Sequence, residues 1–247
     1  VFDFKGRLKA RYMHPVSGPD GSPLDGQPRG IAADASGRLL VTDNLAAYVD
    51  VLDFRGRSVA RLQPGGPAPP GSRNDWPGAL AVARDGRILV ATRGDSGRVF
   101  AFGPDFRPQG SWGEPGAGPG QLSQVTSLAF TPGGDVVVVC AGTQLAVQIF
   151  DSRGVYRKGF GRHDIGPENF SFPSGVTVTD DGRIWVTDEI RQVVKVFDSE
   201  GGFQAMFGGL GRAPGSFQYP SALTTDGRSR LAVAEREGDR FQVLTIR

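Results

Sequence analysis

A repeated unit of about 48 residues is the feature that most constrains how this chain can fold. The first apolar run of each unit includes Ile31, Leu80, Leu128, Val176 or Leu223, so that the steps between units are 49, 48, 48 and 47 residues. Periods in this range are typical of solenoids and propellers. The rungs of a β-solenoid are much shorter, and the chain shows no helical periodicity, which argues against helical-repeat arrays.

Each unit contains short β-branched runs that are joined by turns, most clearly in the fourth unit. There, Val176–Thr179 and Ile184–Thr187 are separated by Asp180-Asp181-Gly182-Arg183, and a third run, Val193–Phe197, follows a polar link. An Asp-Gly turn between two such runs is a strong hairpin signal. A further strand follows a glycine-containing turn. Four antiparallel strands in a unit of about 48 residues predict a propeller blade.

The chain is therefore predicted to be one all-β domain, residues 1–247, a β-propeller of four-stranded antiparallel blades. Inner strands are expected near residues 30–34, 79–83, 127–131, 175–179 and 222–225. The last unit stops after its third strand, whereas the N-terminus supplies a fourth strand, Leu8–Tyr12. Pairing this N-terminal strand with the C-terminal blade gives five blades and removes exposed sheet edges. Because Val1–Phe4 repeats the end of a third strand, six blades with part of one upstream are the alternative.

The composition favours a soluble protein in a reducing compartment. Cys140 is the single cysteine and lies in the apolar run Val136–Ala141, so that a buried, inert thiol is expected. No apolar run approaches the roughly 20 residues that a membrane span needs. We therefore expect no membrane association, and a cytoplasmic location.

The charged residues do not by themselves identify a partner. The formal net charge is +2, which does not indicate a nucleic-acid-binding protein. Lysines occur only at four positions, Lys5, Lys9, Lys158 and Lys195, and all other basic residues are arginines. Arginine suits bidentate contacts to carboxylate or phosphate. A GC-rich coding sequence would give the same bias without any function.

The links between units carry a recurring phrase. In Gly113–Phe130, Gly161–Val178 and Gly208–Thr225, a glycine is followed by Pro-Gly or Gly-Pro, an aromatic residue or leucine, and then the inner strand. The phrases Val41–Asn44 and Val186–Glu189 read VTDN and VTDE. These features resemble the NHL repeat. The resemblance covers all five units and is clearest in the fourth and weakest in the second and fifth.

The Asn-His-Leu signature itself is missing. Ala46-Ala47-Tyr48 and Arg191-Gln192-Val193 stand where that family has Asn-His-Arg. NHL domains form the C-terminal part of many tripartite-motif ubiquitin ligases, where they select targets, including RNA. The arginine-rich, five-unit form resembles most the ligases of this kind that act in antiviral innate immunity. The resemblance implies a non-catalytic, monomeric target-recognition domain without a cofactor, in a protein whose zinc and ligase chemistry lie in an upstream RING.

Enzymatic activity is the least favoured interpretation. The two histidines, His14 and His163, fall in predicted links and are not near a cysteine cluster. A zinc site needs three or four converging ligands, and NHL-type lyases bind metal through several histidines. Asp43 and Asp188 follow second strands, but the other units do not repeat the aspartate, which favours turn aspartates that bond their own backbone. No catalytic or metal-binding residue is predicted.

One face of the propeller is the predicted binding site. The loops between second and third strands and the links between blades share this face, whereas the first turns, such as Asp85-Gly86-Arg87, lie on the opposite one. The candidate residues on the first face are Arg29, Arg93, Arg98, Arg191, Arg236, Arg240, Tyr48, Trp76, Phe172 and Tyr219. Arginines among aromatic residues suit single-stranded RNA, because guanidinium groups bind phosphates and rings stack on bases.

Two alternatives stay open for these residues. Trp76, Phe172 and Tyr219 occupy positions where an aromatic ring packs between blades, and acidic residues in the same loops, such as Glu189 and Glu235, could pair with the arginines. The face could then bind a protein substrate or signalling partner and no nucleic acid. The sequence therefore predicts a recognition propeller that binds RNA, protein or both.

Overall fold

The computed structural model describes residues 15–17, 23–43, 45–65, 76–94 and 96–246, and all regular elements within these ranges are β-strands. A two-stranded antiparallel ribbon comes first and pairs β1 (Pro15–Ser17) with β2 (Pro23–Asp25). The repeat does not predict this ribbon, because the other units contain no copy of its sequence. No helix in the described ranges has the length and hydropathy of a membrane span.

Five antiparallel sheets follow in chain order, and we number them as blades 1 to 5. Blade 1 contains β3 (Pro28–Ala33), β4 (Leu39–Asp43), β5 (Val49–Leu52) and β6 (Ser58–Leu62). Blade 2 contains β7 (Pro77–Val82), β8 (Ile88–Thr92), β9 (Val99–Phe102) and β10 (Pro108–Trp112). Blade 3 contains β11 (Val125–Phe130), β12 (Val136–Cys140), β13 (Val147–Phe150) and β14 (Tyr156–Phe160).

The last two blades repeat the arrangement. Blade 4 contains β15 (Pro173–Val178), β16 (Ile184–Asp188), β17 (Val193–Phe197) and β18 (Phe203–Gly208). Blade 5 contains β19 (Pro220–Thr225), β20 (Arg230–Glu235) and β21 (Phe241–Thr245). Each of the five inner strands begins two residues before its predicted position. The predicted fourth strand of blade 5, Leu8–Tyr12, and its closure of the ring lie outside the described residues.

The inner strands of the five blades surround one central channel. Residues of β3, β7, β11, β15 and β19 together line a cavity of about 760 Å³. Side-chain hydroxyl groups link successive blades beside it: Thr42 donates to the carbonyl of Gly78 (2.8 Å), and Ser174 donates to that of Pro220 (3.0 Å). This arrangement confirms the predicted all-β propeller of five antiparallel blades.

The hydrophobic core lies between the blades. Four clusters of buried residues fill the successive interfaces, from Leu40 and Val90 between blades 1 and 2 to Val194 and Leu231 between blades 4 and 5. Cys140 is a buried free thiol, as predicted, and burial raises its pKa to about 11. The second strands of blades 1 to 4 are covered on both faces, so that they are mostly apolar along their length rather than alternating.

Candidate binding face

One end of the propeller carries the links between blades and the loops β4–β5, β8–β9, β12–β13, β16–β17 and β20–β21. We call this end the upper face. The channel runs from Arg29, near the start of β3 on this face, to the first turns of the blades on the lower face, where Asp85 and Asp226 line it. All ten candidate residues belong to elements of the upper face or to the strand ends beside it.

Acidic residues at the ends of second strands hold the upper loops in place. The carboxylate of Asp188 is buried and accepts hydrogen bonds from the backbone N–H groups of Ser171 (2.8 Å), Phe172 (3.1 Å) and Arg191 (3.2 Å). Asp43 accepts a bond from the N–H group of Leu45 (2.7 Å). These aspartates therefore organise the backbone, in agreement with the structural interpretation of the sequence.

Arg191 fastens the link between blades 3 and 4. Its guanidinium group donates to the hydroxyl of Ser171 (2.9 Å) and to the carbonyls of Gly166 (2.8 Å) and Asp164, and it lies 3.6 Å from the Asp188 carboxylate. Its donors are thus used inside the protein. Arg191 therefore holds the link in place through internal hydrogen bonds and is not an exposed cation. We call a side chain that holds a link in this way a clamp.

Arg240 forms the equivalent clamp between blades 4 and 5. It donates to the carboxylate of Glu235 (2.7 Å) and to the carbonyls of Arg212 (2.6 Å) and Ser216 (2.8 Å). Burial alone would raise the pKa of Glu235, but the hydrogen bonds from Arg240, Gln242 and the backbone of Gln218 outweigh it and lower that pKa. Reversing the charge of Arg191 and Arg240 is therefore expected to loosen these links, and cannot by itself report on RNA binding.

Sequence reasoning missed a second set of clamps on the third strands. Gln148 accepts a bond from the N–H group of Gly120 (2.7 Å) and donates to the carbonyl of Gln121 (2.8 Å). Gln242 of blade 5 binds the link between blades 4 and 5 in the same way. Its side chain accepts a bond from the N–H group of Gly215 (3.0 Å) and donates to the carbonyl of Ser216 (2.7 Å). A polar residue at the same place in an otherwise apolar third strand was the available signal.

Lys195 is the member of this set in blade 4. Its side chain is completely buried, its ammonium group donates to the carbonyl of Asn169, and its Nζ atom lies 3.8 Å from the Asp188 carboxylate and 4.8 Å from the centre of the Phe170 ring. Burial and the charge of Arg191 lower the pKa of Lys195 to about 8, although Asp188 and Glu168 oppose this shift. The buried ammonium group has no access to a ligand.

Arg236 joins blades 4 and 5 at the surface. Its guanidinium group forms an ion pair with Glu189 and lies 5.0 Å from the centre of the Tyr219 ring. Burial and the charge of Glu237 raise the pKa of Glu189, and Arg236 opposes them. Arg236 remains more than half exposed, whereas Glu189 is buried. This pair therefore presents an arginine and a tyrosine side by side on the upper face.

The remaining three arginines lie on blades 1 and 2, outside these clamps. Arg29 is exposed at the channel mouth, and Arg93 follows β8 and donates its backbone N–H group to the carbonyl of Trp76 (2.8 Å). Arg98 is exposed at the end of the same loop, where its carbonyl accepts a bond from the N–H group of Thr92 (2.9 Å). The structure therefore divides the six candidate arginines into two groups, at different blades.

The four candidate aromatic residues differ in exposure. Phe172 is exposed, whereas Tyr48, Trp76 and Tyr219 are partly buried. The Arg61 guanidinium group covers the Tyr48 ring at 4.4 Å. The hydroxyl of Tyr48 is buried and has no hydrogen-bond partner among the described residues. Tyr48 therefore belongs to the packing of blade 1 more than to the accessible surface.

We call four exposed apolar side chains in the β16–β17 loop and in the links on either side of blade 4 the apolar patch. They are Ile165, Phe172, Ile190 and Leu210, with exposed fractions of 91%, 39%, 58% and 73%. Only Phe172 was among the residues that the sequence predicted. The other three were missed because an isolated isoleucine or leucine in a loop carries no signal until the loops are brought together.

Backbone hydrogen bonds join the loops that carry the apolar patch. The N–H group of Glu189 donates to the carbonyl of Phe172 (2.9 Å), and the N–H group of Gly209 donates to the carbonyl of Gln192 (2.8 Å). The N–H group of Tyr219 donates to the side chain of Gln192 (2.6 Å). The β16–β17 loop is thereby fixed between the links on either side of it.

The described part of the chain contains no group of three His, Cys, Asp or Glu residues that could hold a metal ion. His163 is exposed in the link between blades 3 and 4, and His14 lies outside the described residues. The upper face therefore offers clamped loops, exposed apolar side chains and arginines.

The sequence of the fourth unit matches a known repeat. Residues 170–197, which include most of blade 4 and part of the apolar patch, match the NHL repeat. No curated protein matches the chain significantly.

Solved structures with the same fold include bacterial enzymes. The virginiamycin B lyase from Staphylococcus aureus is 13% identical with a TM-score of 0.62, and the alignment covers 100% of this chain and 83% of that chain. A gluconolactonase from Xanthomonas campestris is 23% identical with a TM-score of 0.64, covering 89% and 72%. A Bacteroides caccae protein of unknown function is 14% identical with a TM-score of 0.65, covering 89% and 75%. At these identities the likeness concerns the fold alone, whereas an NHL repeat within a β-propeller suggests a protein-interaction domain.

Proposed function

We propose that this chain is a non-catalytic recognition propeller that binds a protein partner through the apolar patch on blades 4 and 5. The observation that carries the proposal is the exposure of Ile165, Phe172, Ile190 and Leu210 on adjoining loops of one face. Grouped apolar side chains at the surface of a soluble domain mark interaction sites, whereas single ones need no explanation.

The surroundings of the apolar patch support a protein rather than a nucleic acid as its ligand. Two arginines of the upper loops, Arg191 and Arg240, donate to carbonyl groups and carboxylates of the protein itself. Arg236 and Tyr219 lie beside it, and these residue types dominate the binding energy of protein interfaces. A partner that inserts apolar anchors at the patch and makes polar contacts at its edge fits this surface.

The clamps make the patch suitable for binding. Arg191 and Lys195 hold the link that carries Ile165, and Arg240 and Gln242 hold the link that carries Leu210. Loops that are already ordered lose less conformational entropy when a partner binds, which increases affinity. The apolar side chains are therefore displayed on a preorganised support.

The test compares protein partners captured by the wild-type chain and by two variants, with photo-cross-linking at residue 190 to identify direct contacts. Ile190→Asp combined with Leu210→Asp places charge in the patch and should weaken binding of a directly contacting partner by about 100-fold or more, as expected for central interface residues. Val155→Asp is the matched control, because Val155 is 53% exposed in the β13–β14 turn, outside the patch.

Two outcomes of this experiment decide whether the apolar patch is the docking site. A partner that cross-links to residue 190, is retained by Val155→Asp and is lost by the double variant supports the proposal. If the double variant keeps its fold by circular dichroism and binds every partner as well as the wild-type chain does, the apolar patch is not the docking site.

We also propose a cellular context, which is supported by the resemblance of the repeat and not by the geometry. The chain would be the target-recognition domain of a tripartite-motif ubiquitin ligase that acts in antiviral innate immunity in the cytoplasm, similar to that of tripartite motif-containing protein 56. Zinc and ligase chemistry would then belong to an upstream RING, and this domain would need no cofactor. The NHL match at residues 170–197 supports this context.

RNA binding is the second candidate function. The observation that favours it is the position of Arg29, Arg93 and Arg98 on blades 1 and 2, where the backbone N–H group of Arg93 donates to the carbonyl of Trp76. Arg29 and Arg98 are exposed, so that they are the candidates for phosphate contacts. RNA would occupy a different part of the upper face from the protein partner.

A further inference from the structure

A second cavity, of about 460 Å³, lies between the outer strands of blades 4 and 5. Blade 4 contributes Trp185, Ala205 and Phe207 to its wall, and blade 5 contributes Leu244 and Ile246. No residue of the apolar patch lines it. We propose that this cavity binds an aromatic side chain that a partner protein presents on an extended segment. The site is separate from the apolar patch and does not depend on docking there.

The cavity continues the packed interface between blades 4 and 5. Trp185, Val196 and Ile246 line it and also belong to the buried cluster between these two blades. The charged residue of the wall, Arg183, pairs with Asp181 (2.7 Å). The wall is thus largely apolar and is supported by the core of the protein. An apolar group fits this cavity better than a charged one.

The interface between blades 2 and 3 shows what fills the equivalent space elsewhere in the propeller. Three aromatic rings pack together there: Trp112 at the end of β10, Phe150 at the end of β13 and Tyr156 at the start of β14. The centre of the Phe150 ring lies 4.9 Å from that of Trp112 and 5.8 Å from that of Tyr156. Such tilted and edge-on pairs are favourable beyond the area that they bury.

The same three rings recur between blades 3 and 4. Phe160 ends β14, Phe197 ends β17 and Phe203 begins β18. The centre of the Phe197 ring lies 4.8 Å from that of Phe160 and 5.8 Å from that of Phe203. In both interfaces, the third ring stands on the fourth strand of the later blade and meets the second ring edge-on.

Between blades 4 and 5 this arrangement is incomplete. Phe207, near the end of β18, takes the place of the first ring, and Leu244 takes the place of the second with a smaller side chain. The third ring would stand on a strand beside β21, and β21 pairs only with β20 among the described residues. The cavity lies beside Phe207 and Leu244. An aromatic side chain on an added strand would therefore complete the cluster.

An extended segment suits this place because β21 can also offer backbone groups. Peptides that add a strand to a sheet gain affinity from main-chain hydrogen bonds and specificity from pockets for their side chains. The competing occupant is the predicted fourth strand of blade 5, Leu8–Tyr12, which lies outside the described residues. In the repeat, Gly6-Arg7-Leu8 aligns with Gly154-Val155-Tyr156, so that the N-terminal segment has a leucine where blade 3 has an aromatic ring.

The experiment measures binding of a fluorescein-labelled synthetic peptide to the complete chain by fluorescence anisotropy. The peptide has the sequence of Gly154–Gly161, which presents Tyr156 on a short extended segment. Tyr156→Ala in the peptide should weaken binding at least about tenfold, as expected for an aromatic anchor in a pocket. Ala205→Phe in the protein fills the cavity and should weaken binding as strongly. Met206→Phe is the matched control, because Met206 is 46% exposed on the same strand and does not line the cavity.

Binding that requires both Tyr156 of the peptide and an open cavity supports the proposal. Circular dichroism of both protein variants checks that they keep the fold. The proposal is overturned if the wild-type chain does not bind the peptide, or if Ala205→Phe binds it as tightly as Met206→Phe does. Binding by Leu8→Asp but not by the wild-type chain would also overturn it, and would assign the cavity to the N-terminal segment.

Discussion

Arginine performs a specific task in the turns of this protein. In five hairpin turns, the Nε atom of an arginine donates to the carboxylate of an aspartate in the same turn. These arginines are Arg38, Arg57, Arg87, Arg183 and Arg230. A lysine has a single terminal ammonium group and lacks the Nε–H donor near the backbone. The excess of arginine over lysine thus has a structural cause in the turns, beyond any codon bias.

Lys195 is the residue for which the structure predicts a clear pH dependence. Its pKa is about 8 in the folded protein, against 10.5 for an ordinary lysine. Between these values the unfolded chain binds more protons than the folded protein, so the free energy of unfolding rises as the pH rises from about 8 to about 10.5. The shift corresponds to a gain of about 3 kcal/mol at most.

The measurement compares wild-type protein with Lys195→Met in urea unfolding between pH 7.5 and 10.5. Cys140 and Tyr156 titrate in both proteins, so the difference between the two curves isolates residue 195. We expect the wild-type protein to gain stability relative to the variant over this range. If the difference in the free energy of unfolding between the two proteins stays constant over this pH range, the ammonium group of Lys195 keeps its ordinary pKa.

The links between blades acquire their structure from contacts that are distant in the sequence. Arg191 reaches the carbonyl of Gly166, which is 25 residues earlier, and Gln148 reaches Gly120, which is 28 residues earlier. The links themselves contain many Gly and Pro residues and have little regular structure. They are therefore ordered by the neighbouring strands and not by their own propensities.

Removing the Arg191 clamp should loosen one link and leave the blades intact. Arg191→Met removes its hydrogen bonds to Ser171, Gly166 and Asp164, and should cost about 2 kcal/mol, as is usual for hydrogen bonds of charged groups. Amide hydrogen exchange should become faster in residues 162–172 and stay unchanged in β12 and β13. Arg162→Met in the same link is the control. Equal exchange in Arg191→Met and wild-type protein would exclude the clamp.

At the scale of the whole molecule, the repeat made the fold predictable. The spacing of Ile31, Leu80, Leu128, Val176 and Leu223 is a local pattern that recurs, and it places every inner strand. The loops of the upper face were predictable as a group, because strand order alone decides which loops share an end of the propeller. The roles of the individual candidate residues could not be predicted from the sequence. The partner of each arginine depends on side-chain positions that are defined only when the blades are assembled.

The candidate arginines illustrate why the sequence alone does not predict the role of each residue. From the sequence, Arg93, Arg191 and Arg240 were equivalent candidates for phosphate contacts. In the structure, Arg191 and Arg240 are clamps, whereas Arg93 lies close to Arg29 and Arg98 on blades 1 and 2. We call Arg29, Arg93 and Arg98, which lie on blades 1 and 2, the basic region.

If this basic region binds single-stranded RNA, the affinity should depend on salt in a defined way. Three phosphate contacts give a fall of about 2 in log affinity per unit of log salt concentration, at about 0.7 for each neutralised phosphate. Binding of the wild-type chain to a labelled RNA pool across a salt series measures this slope. Arg93→Glu combined with Arg98→Glu should weaken binding and reduce the slope.

Two control variants complete the test of RNA binding. Arg107→Glu changes an exposed arginine of the β9–β10 turn, which is outside the basic region, and should leave the slope unchanged. Ile190→Asp with Leu210→Asp should also retain RNA binding, because the apolar patch is on other blades. Absence of binding at low salt, where charges are least screened, would contradict RNA recognition and leave protein docking as the function of the upper face.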